Sequence, residues 1–596
     1  MVNESYAEIQ DILNKNKAKI DDLPRLNISI LRNIVVESIV PYLKFFTYKI
    51  GCAAEIQMGD YDNIVQESMG INEGLLKKET DCVLIFMKLE NLSWSLVRNF
   101  SALQAEEVQN EVARIQETVT NILTGIRKQT DGMILWHGFE LPLYPGLGIW
   151  DSQIPEGQTG VISELNNLLR TALQSVPNAY YVDLNLCLAR VGGNTFYDDR
   201  YWHIGRAPYS RDALCEIASE DFKFIRALKG KNKKCLVLDC DNVLWGGIIG
   251  EDGMSGIKLS KTYPGSPYYE FQQEVLSLYN RGIILALCSK NNAADVWEVF
   301  NNHPDMVLKE KHIAAAEINW QDKATNLKQI AANLNIGLDS LVFVDDSEFE
   351  VNWVREAIPE MTVLHFPKDK TVEYRNLLAS CGLFDTLTIS AEDRKRGAMY
   401  KAEAQRKKLQ AEVPDLESYY KSLEMVIEVK FADNFTLPRI AQLTQKTNQF
   451  NLTTRRYSEA DIKSYMEAVD VDVLSLKLMD KFGDSGIVGV CILKYNEQKA
   501  VIDTFLLSCR ILGRGVEDVF VIQALKLAKQ RGCEAVIGEF YPTAKNAQVK
   551  DFFPKQGFEQ FSSSNKNGEG CYLMDITQSI REEPSYFKEI KSGNYE

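Results

Sequence analysis

Lys234-Cys-Leu-Val-Leu-Asp239-Cys240-Asp241-Asn-Val-Leu-Trp-Gly-Gly247 is an apolar run that ends abruptly in two carboxylates one residue apart. Four apolar residues bounded by a turn read as a buried β-strand. An aspartate at the carboxyl end of such a strand is placed to attack phosphorus. A second aspartate two residues on can then handle the leaving-group proton, with Mg²⁺ offsetting the crowded negative charge. Acidic pairs also occur on plain solvated turns, so the rest of the chain has to decide between the two readings.

Working outward, Gly282-Ile-Ile-Leu-Ala-Leu-Cys-Ser289 repeats the pattern of a buried strand, here ending in a hydroxyl, and Lys290-Asn291-Asn292 opens a helical segment. A helix N-terminus beside a hydroxyl suits a phosphate group. Lys323 opens the next helical segment, and Leu341-Val-Phe-Val-Asp345-Asp346-Ser347 is a third strand ending in carboxylates, with Glu350 close behind. The order DxD, Ser, Lys, DD resembles the haloacid dehalogenase superfamily. The resemblance implies Asp239 as nucleophile and Asp241 as general acid and base. It further implies Ser289, Asn291 and Lys323 as phosphate ligands, and Asp239, Asp241 and Asp346 around the Mg²⁺, with Asp345 or Glu350 open to share that role.

The 596 residues exceed one ordinary core, and 45% hydrophobic with 25% charged content is globular. There is no long apolar run and no basic-then-apolar N-terminal pattern, so the expected location is cytoplasmic, with no membrane partner. Twelve cysteines without a CxxC pair and five unclustered histidines point to neither a disulfide framework nor zinc. A net charge of -15 disfavours nucleic acid.

The organisation reads as three α/β blocks with connecting segments. Residues 1–225 alternate strand-like runs (Cys82-Val-Leu-Ile-Phe-Met, Gly132-Met-Ile-Leu-Trp, Ala179-Tyr-Tyr-Val-Asp) with helical stretches, in the layout of an SGNH- or flavodoxin-like domain. No GDS nucleophile is present there. Asp199-Arg-Tyr-Trp-His203 misses the DxxH spacing, so His203 is read as structural and the block as non-catalytic. Residues 231–385 hold the dehalogenase-type motifs on strands expected at 235–239, 283–288, 341–344 and 362–365, a Rossmann-like parallel sheet. The short, glycine-rich Trp245 to Tyr263 leaves room for only a minimal cap. A charged stretch at 390–415 reads as a linker helix, its basic residues a solvated face among acids.

Residues 416–580 change pattern. Two adjacent strands lead through Leu506-Leu-Ser-Cys-Arg510-Ile-Leu-Gly513-Arg514-Gly515-Val-Glu517 into an apolar helix, and Tyr541-Pro-Thr-Ala-Lys-Asn546 and Phe552-Phe553-Pro-Lys-Gln-Gly557-Phe558 follow, with a tail at 581–596. The glycine turn resembles the RxxGxG pyrophosphate loop of GNAT acetyltransferases, in an α+β fold. That resemblance implies Arg510, Gly513, Gly515 and Asn546 as contacts to a pantetheine arm.

Together with Ile318-Asn-Trp-Gln-Asp-Lys323, Asn448-Gln-Phe-Asn-Leu-Thr453 and Phe482-Gly-Asp-Ser-Gly486, these segments are similar to full-length members of the FkbH family. The resemblance implies transfer of a glyceryl unit from 1,3-bisphosphoglycerate, a small phosphorylated three-carbon substrate, to the phosphopantetheine thiol of an acyl carrier protein. Dephosphorylation accompanies the transfer, and the product serves polyketide-type biosynthesis. Val243 stands where threonine is common. Two other readings stay open: a plain phosphatase of a small phosphate ester, and a non-catalytic scaffold that binds carrier proteins. Cys240, between the two carboxylates, is a candidate for a covalent thioester; strand alternation and the neighbouring charges oppose it.

Overall fold

The structure is a computed structural model. It describes the chain except residues 1–3, 72–73, 390–396, 398, 401, 403–405, 407–408, 410–412, 509–510, 544, 563–568 and 593–596. Two compact units are formed, one from residues 1–232 with 385–387, the other from 233–384 with 388–596. The linker helix expected at 390–415 falls mostly outside the described residues.

The first unit is built on β1 (Arg25–Arg32), β2 (Ala53–Met58), β3 (Cys82–Phe86), β4 (Met133–His137) and β5 (Ala179–Val182), all parallel in the order β2-β1-β3-β4-β5. This is the flavodoxin-type doubly wound order. β3 and β4 are buried along their whole length because helices cover both faces. Leu84 and Leu135 point into one apolar cluster, while Val83, Ile85, Ile134 and Trp136 point into the other. Burial on both faces is why these strands read as unbroken apolar runs rather than as alternation.

In the second unit, β6 (Cys235–Leu238), β7 (Ile284–Ser289), β8 (Ile313–Ile318), β9 (Leu341–Asp345) and β10 (Thr362–His365) form a parallel sheet in the order β10-β9-β6-β7-β8. β8 was not expected from its sequence, Ile313-Ala-Ala-Ala-Glu-Ile318. From β6 the chain winds first to one side and then to the other, so the topological switch lies between β6 and its neighbours, where ligands bind such sheets. Asp239 and Asp345 follow or end the two strands on one side of that switch.

The other sheet of this unit contains β11 (Val426–Phe431), β12 (Phe450–Asn451), β13 (Val471–Asp480), β14 (Gly483–Asn496), β15 (Lys499–Leu507), β16 (Ala535–Phe540), β17 (Glu559–Ser562), β18 (Gly570–Asp575) and β19 (Glu589–Ser592). Its path is β17-β18-β16-β15-β14-β13-β11-β19, with β12 added to β15. Residues 589–592, expected within a tail, pair parallel with β11. β15 and β16 are parallel, and their pairing ends at Ile502 and Gly538. No helix among the described residues is long and apolar enough to cross a membrane.

Candidate active site

Asp239 leaves β6 with its backbone still paired to β9, its N–H donating to the Val344 carbonyl at 3.1 Å. Its side chain is buried. One carboxylate oxygen accepts from the N–H of Cys240 at 2.7 Å, and the other accepts from Lys323 Nζ at 2.8 Å. Asn242, in the left-handed region at φ 57°, then turns the chain, and its side-chain oxygen accepts from the Gly247 N–H at 3.0 Å. This turn brings Trp245 and Ile249 back to Asp241. Asp241 Oδ1 accepts from Trp245 Nε1 at 2.8 Å and from the Ile249 N–H at 3.1 Å, while Oδ2 accepts from Asn291 Nδ2 at 2.8 Å. Burial pushes the Asp241 carboxyl above its usual range, against the pull of these three donors.

Lys323 begins the helix Lys323–Leu334, whose cap Asp322 accepts from the Thr325 N–H. Its ammonium is buried and bridges Asp239 and Asp345, 2.5 Å from the latter. Burial alone would press Lys323 down, but the two carboxylates hold it well above its usual range. Asp346 accepts an ion pair from the exposed Lys368 at 3.1 Å, and the His365 ring meets its backbone carbonyl at 3.0 Å.

Side-chain oxygens of Asp239, Asp345 and Asp346 lie within 4.8 Å of one another. Three carboxylates face the ammoniums of Lys323 and Lys368 here, so negative charge is in excess; burial, then the charge of Asp239, pushes the Asp345 carboxyl up to about 6 despite Lys323. Three hard oxygen donors with surplus charge fit a divalent cation of the Mg²⁺ type. The expected trio named Asp241 in place of Asp345. Both Asp241 side-chain oxygens accept from Trp245, Ile249 and Asn291, and the oxygens that gather with those of Asp239 and Asp346 are Asp345's. Glu350, the other alternative, is turned to Lys290 at 2.6 Å.

Ser289 ends β7 fully buried, its hydroxyl against the Cys240 thiol. Asn291, expected to touch phosphate, is buried and holds Asp241. Cys240, the candidate for a covalent thioester, lies in the interior. It has no exposed surface and packs in the apolar cluster with Leu238, Val243 and Trp245; burial first, then Asp239 and Asp241, holds its thiol far above the ordinary range. Thiolate chemistry is disfavoured there.

The pantetheine contacts fare differently. Arg510 lies outside the described residues. Gly513 and Gly515 are in the left-handed region at φ 75° and 69°, and Gly515 caps the helix Val516–Gln530. A side chain on Gly515 would meet Tyr586 Oη at 1.9 Å, so the C-terminal segment closes over this turn. Asn546 is fully buried and donates to the carbonyls of Asn451 and Tyr541, both at 2.9 Å. Beyond Ile502 and Gly538, β15 and β16 part, and β12 enters between them. Phe450 and Asn451 pair with Leu507 and Leu506, the Leu452 N–H reaches the Phe505 carbonyl at 3.1 Å, and the Tyr541 N–H reaches Leu452 at 2.8 Å. Unpaired edges inside this wedge would accept the amides of an extended arm. The chain fills them with its own strand, and Asn546 pins that strand in place.

In the first unit, His203 is exposed on the short helix Asp199–Gly205, so it has no structural burial. The buried histidine is His137, stacked on Phe86 and 2.9 Å from Asp221. Lys88, after β3, forms an ion pair with Glu140 at 3.1 Å, and Tyr209 donates to the same carboxylate at 2.6 Å.

Among solved structures, the chain is similar to the N-terminal part of the protein BF1531 from Bacteroides fragilis, which contains a phosphatase domain and was crystallised in complex with Mg. The identity is 30%, the match covers 65% of this chain and 100% of that one, and the TM-score is 0.58. Over a quarter of its length the chain is also similar to the ribosomal-protein-S18-alanine N-acetyltransferase from Escherichia coli (14% identity, 26% of this chain and 96% of that one, TM-score 0.20). A putative phosphinothricin N-acetyltransferase matches in the same way (13% identity, 26% and 99%, TM-score 0.20). No protein-family model and no curated protein matches.

Proposed function

The chain belongs to the family of BF1531, whose N-terminal part contains a phosphatase domain, and from that premise we propose that its β6–β10 sheet removes a phosphoryl group from an ester at Asp239. The observation that carries the reading is the convergence of Asp239, Lys323, Asp345 and Asp346 at the switch point of that sheet.

Asp239 attacks phosphorus, forming an aspartyl phosphate as the bond to the ester oxygen breaks, and Asp241 gives its proton to that oxygen. Water then attacks the aspartyl phosphate, giving its proton to Asp241, and phosphate leaves Asp239. The raised Asp241 carboxyl suits a group that must carry a proton in the first step. Asn291 and Trp245 hold Asp241 in place, and Lys323, beside Asp239, is the cation available to the phosphoryl oxygens. Mg²⁺, held by Asp239, Asp345 and Asp346, would supply charge neutralisation for the crowded oxygens.

The finer reading is glyceryl transfer. The carrier thiol attacks the acyl carbon of 1,3-bisphosphoglycerate, a C–S bond replaces the C–O bond to the 1-phosphate, and the 3-phosphate is hydrolysed at Asp239. The FkbH resemblance supports this reading, as does the shortness of the segment Trp245 to Tyr263, which offers little chain for a cap over a carrier-borne substrate. The test is incubation with 1,3-bisphosphoglycerate, Mg²⁺ and candidate carrier proteins, followed by intact-mass analysis. A glyceryl mass on the carrier supports transfer; phosphate release with an unmodified carrier reduces the function to hydrolysis. The filled wedge between β15 and β16 favours that second reading, a phosphatase whose C-terminal sheet takes no arm.

A further inference from the structure

Between residues 233 and 384, the exposed large apolar side chains among the described residues are Ile248, Tyr263, Trp320, Phe349, Trp353 and Val372. Each stands on a segment that follows the carboxyl end of a strand: the first two after β6, Trp320 after β8, Phe349 and Trp353 after β9, Val372 after β10. Scattered exposed apolar groups need no explanation by themselves.

Two of the six are not loose. Trp320 is 71% exposed, yet its indole N–H donates to Asn292 Oδ1 at 3.2 Å, and Asn292 directly follows Asn291, the residue that holds Asp241. Trp353 is 45% exposed, and its side chain hydrogen-bonds Asp322, the residue before Lys323. Phe349 precedes Trp353 by one helical turn in the helix Glu348–Ala357 and shares its face. Both indoles are therefore tethered by their polar edge to the residue adjoining a catalytic-site group, with much of each side chain left to solvent. A fixed ring with an open face is a wall for an apolar or amide-bearing ligand. A bare three-carbon acid has almost no such surface to offer.

Resting on the phosphatase reading above, we propose that Trp320 and Trp353 are specificity-determining residues, and that the ester cleaved at Asp239 carries an amide-bearing chain beyond its phosphorylated carbons. Within the glyceryl reading, the phosphorylated acyl group is then already thioester-linked to its arm when the phosphate is removed. Loading precedes dephosphorylation, and the arm lies along the tryptophans at the mouth of the β6–β10 sheet rather than in the filled wedge.

The experiment compares kcat/KM for phosphate release from free 3-phosphoglycerate and from its S-pantetheine thioester, in the full-length protein with Mg²⁺. The same pair of substrates is used with Trp320→Ala and Trp353→Ala; both positions are exposed, so the fold is retained. The wild type is expected to prefer the thioester, and each variant is expected to lower the thioester-to-acid ratio by about tenfold. A wild type with no preference, or a ratio unmoved in both variants, overturns the proposal and leaves the phosphatase reading standing. If neither compound releases phosphate, the phosphatase reading itself falls, and the proposal with it.

Discussion

The Lys323 ammonium lies 2.8 Å from the Asp239 carboxylate, with both side chains buried, so the nucleophile is held by a partner that water does not screen. Lys323 also bridges to Asp345, which ties the strand ends of β6 and β9 together through one side chain. Removing it leaves two buried carboxylates without their cation. Lys323→Met is expected to abolish phosphate release and to destabilise the second unit by about 3–5 kcal/mol, the usual cost of stripping one partner from a buried ion pair. Denaturant unfolding with and without Mg²⁺ checks this: added Mg²⁺ should recover part of the stability and none of the activity.

Asp241→Asn keeps the donors Trp245, Ile249 and Asn291 within reach of a side chain of the same shape, but the amide cannot give up or receive the proton. Turnover of a phosphate ester is expected to fall by about 10²–10⁴. The deficit should shrink for an ester with a good leaving group such as 4-nitrophenyl phosphate, whose departing oxygen needs no proton. An equal deficit for poor and good leaving groups would remove Asp241 as the acid.

Asp346→Asn is expected to raise the Mg²⁺ concentration needed for half-maximal activity by at least about tenfold, since one of three charged oxygen ligands is lost. Full chelation of Mg²⁺ should stop phosphate release by the parent protein. A variant with the parental Mg²⁺ requirement would take Asp346 out of the metal site.

Much of this site is legible in the chain because it sits where a change of pattern is forced. The apolar run of each buried strand stops at a polar residue, so Asp239, Ser289 and Asp345 mark the carboxyl edge directly. Other features are not legible. β8 is mostly alanine and glutamate between isoleucines, with no β-branched run to mark it as an edge strand. That Asp345 rather than the Asp241 side chain completes the oxygen cluster depends on Asn242 turning the chain so that Asp241 meets Trp245 and Asn291. The two-residue strand Phe450–Asn451 is too short to show periodicity, and its place is set by partners 55 or more residues away in the chain, Leu506 and Leu507. His137 and its buried partner Asp221 are 84 residues apart, a pairing made only by the fold.

Asn546 has a role that its motif alone does not suggest. Asn546→Leu removes the bonds to the Asn451 and Tyr541 carbonyls and is expected to cost about 1–3 kcal/mol, leaving buried acceptors unpaired. Hydrogen exchange at the Leu452 and Tyr541 amides should speed up first. Coenzyme A is expected not to bind the parent protein in this wedge by calorimetry, since β12 occupies it.

In the first unit, burial pushes the Glu140 carboxyl up, but Lys88 and Tyr209 outweigh it and hold it below its usual range. The unfolded chain then binds the proton more readily than the folded one. The contribution of this pair to stability is therefore complete above the ordinary glutamate pKa of about 4.3 and is lost as pH falls through the lower folded value. Lys88→Met should remove that acid-side loss and lower stability at neutral pH; melting temperatures across the acid range read both effects.

The central claim is covalent attack by Asp239. Rapid quenching during turnover with Mg²⁺, followed by borohydride reduction and peptide mass mapping, reads it directly. A phosphorylated Asp239 is reduced to homoserine, so the peptide spanning Lys234 to Gly247 is expected to carry homoserine at position 239 and to lose it in Asp239→Asn along with phosphate release. Phosphate release at the parental rate by that variant, or homoserine at another position, would contradict the account.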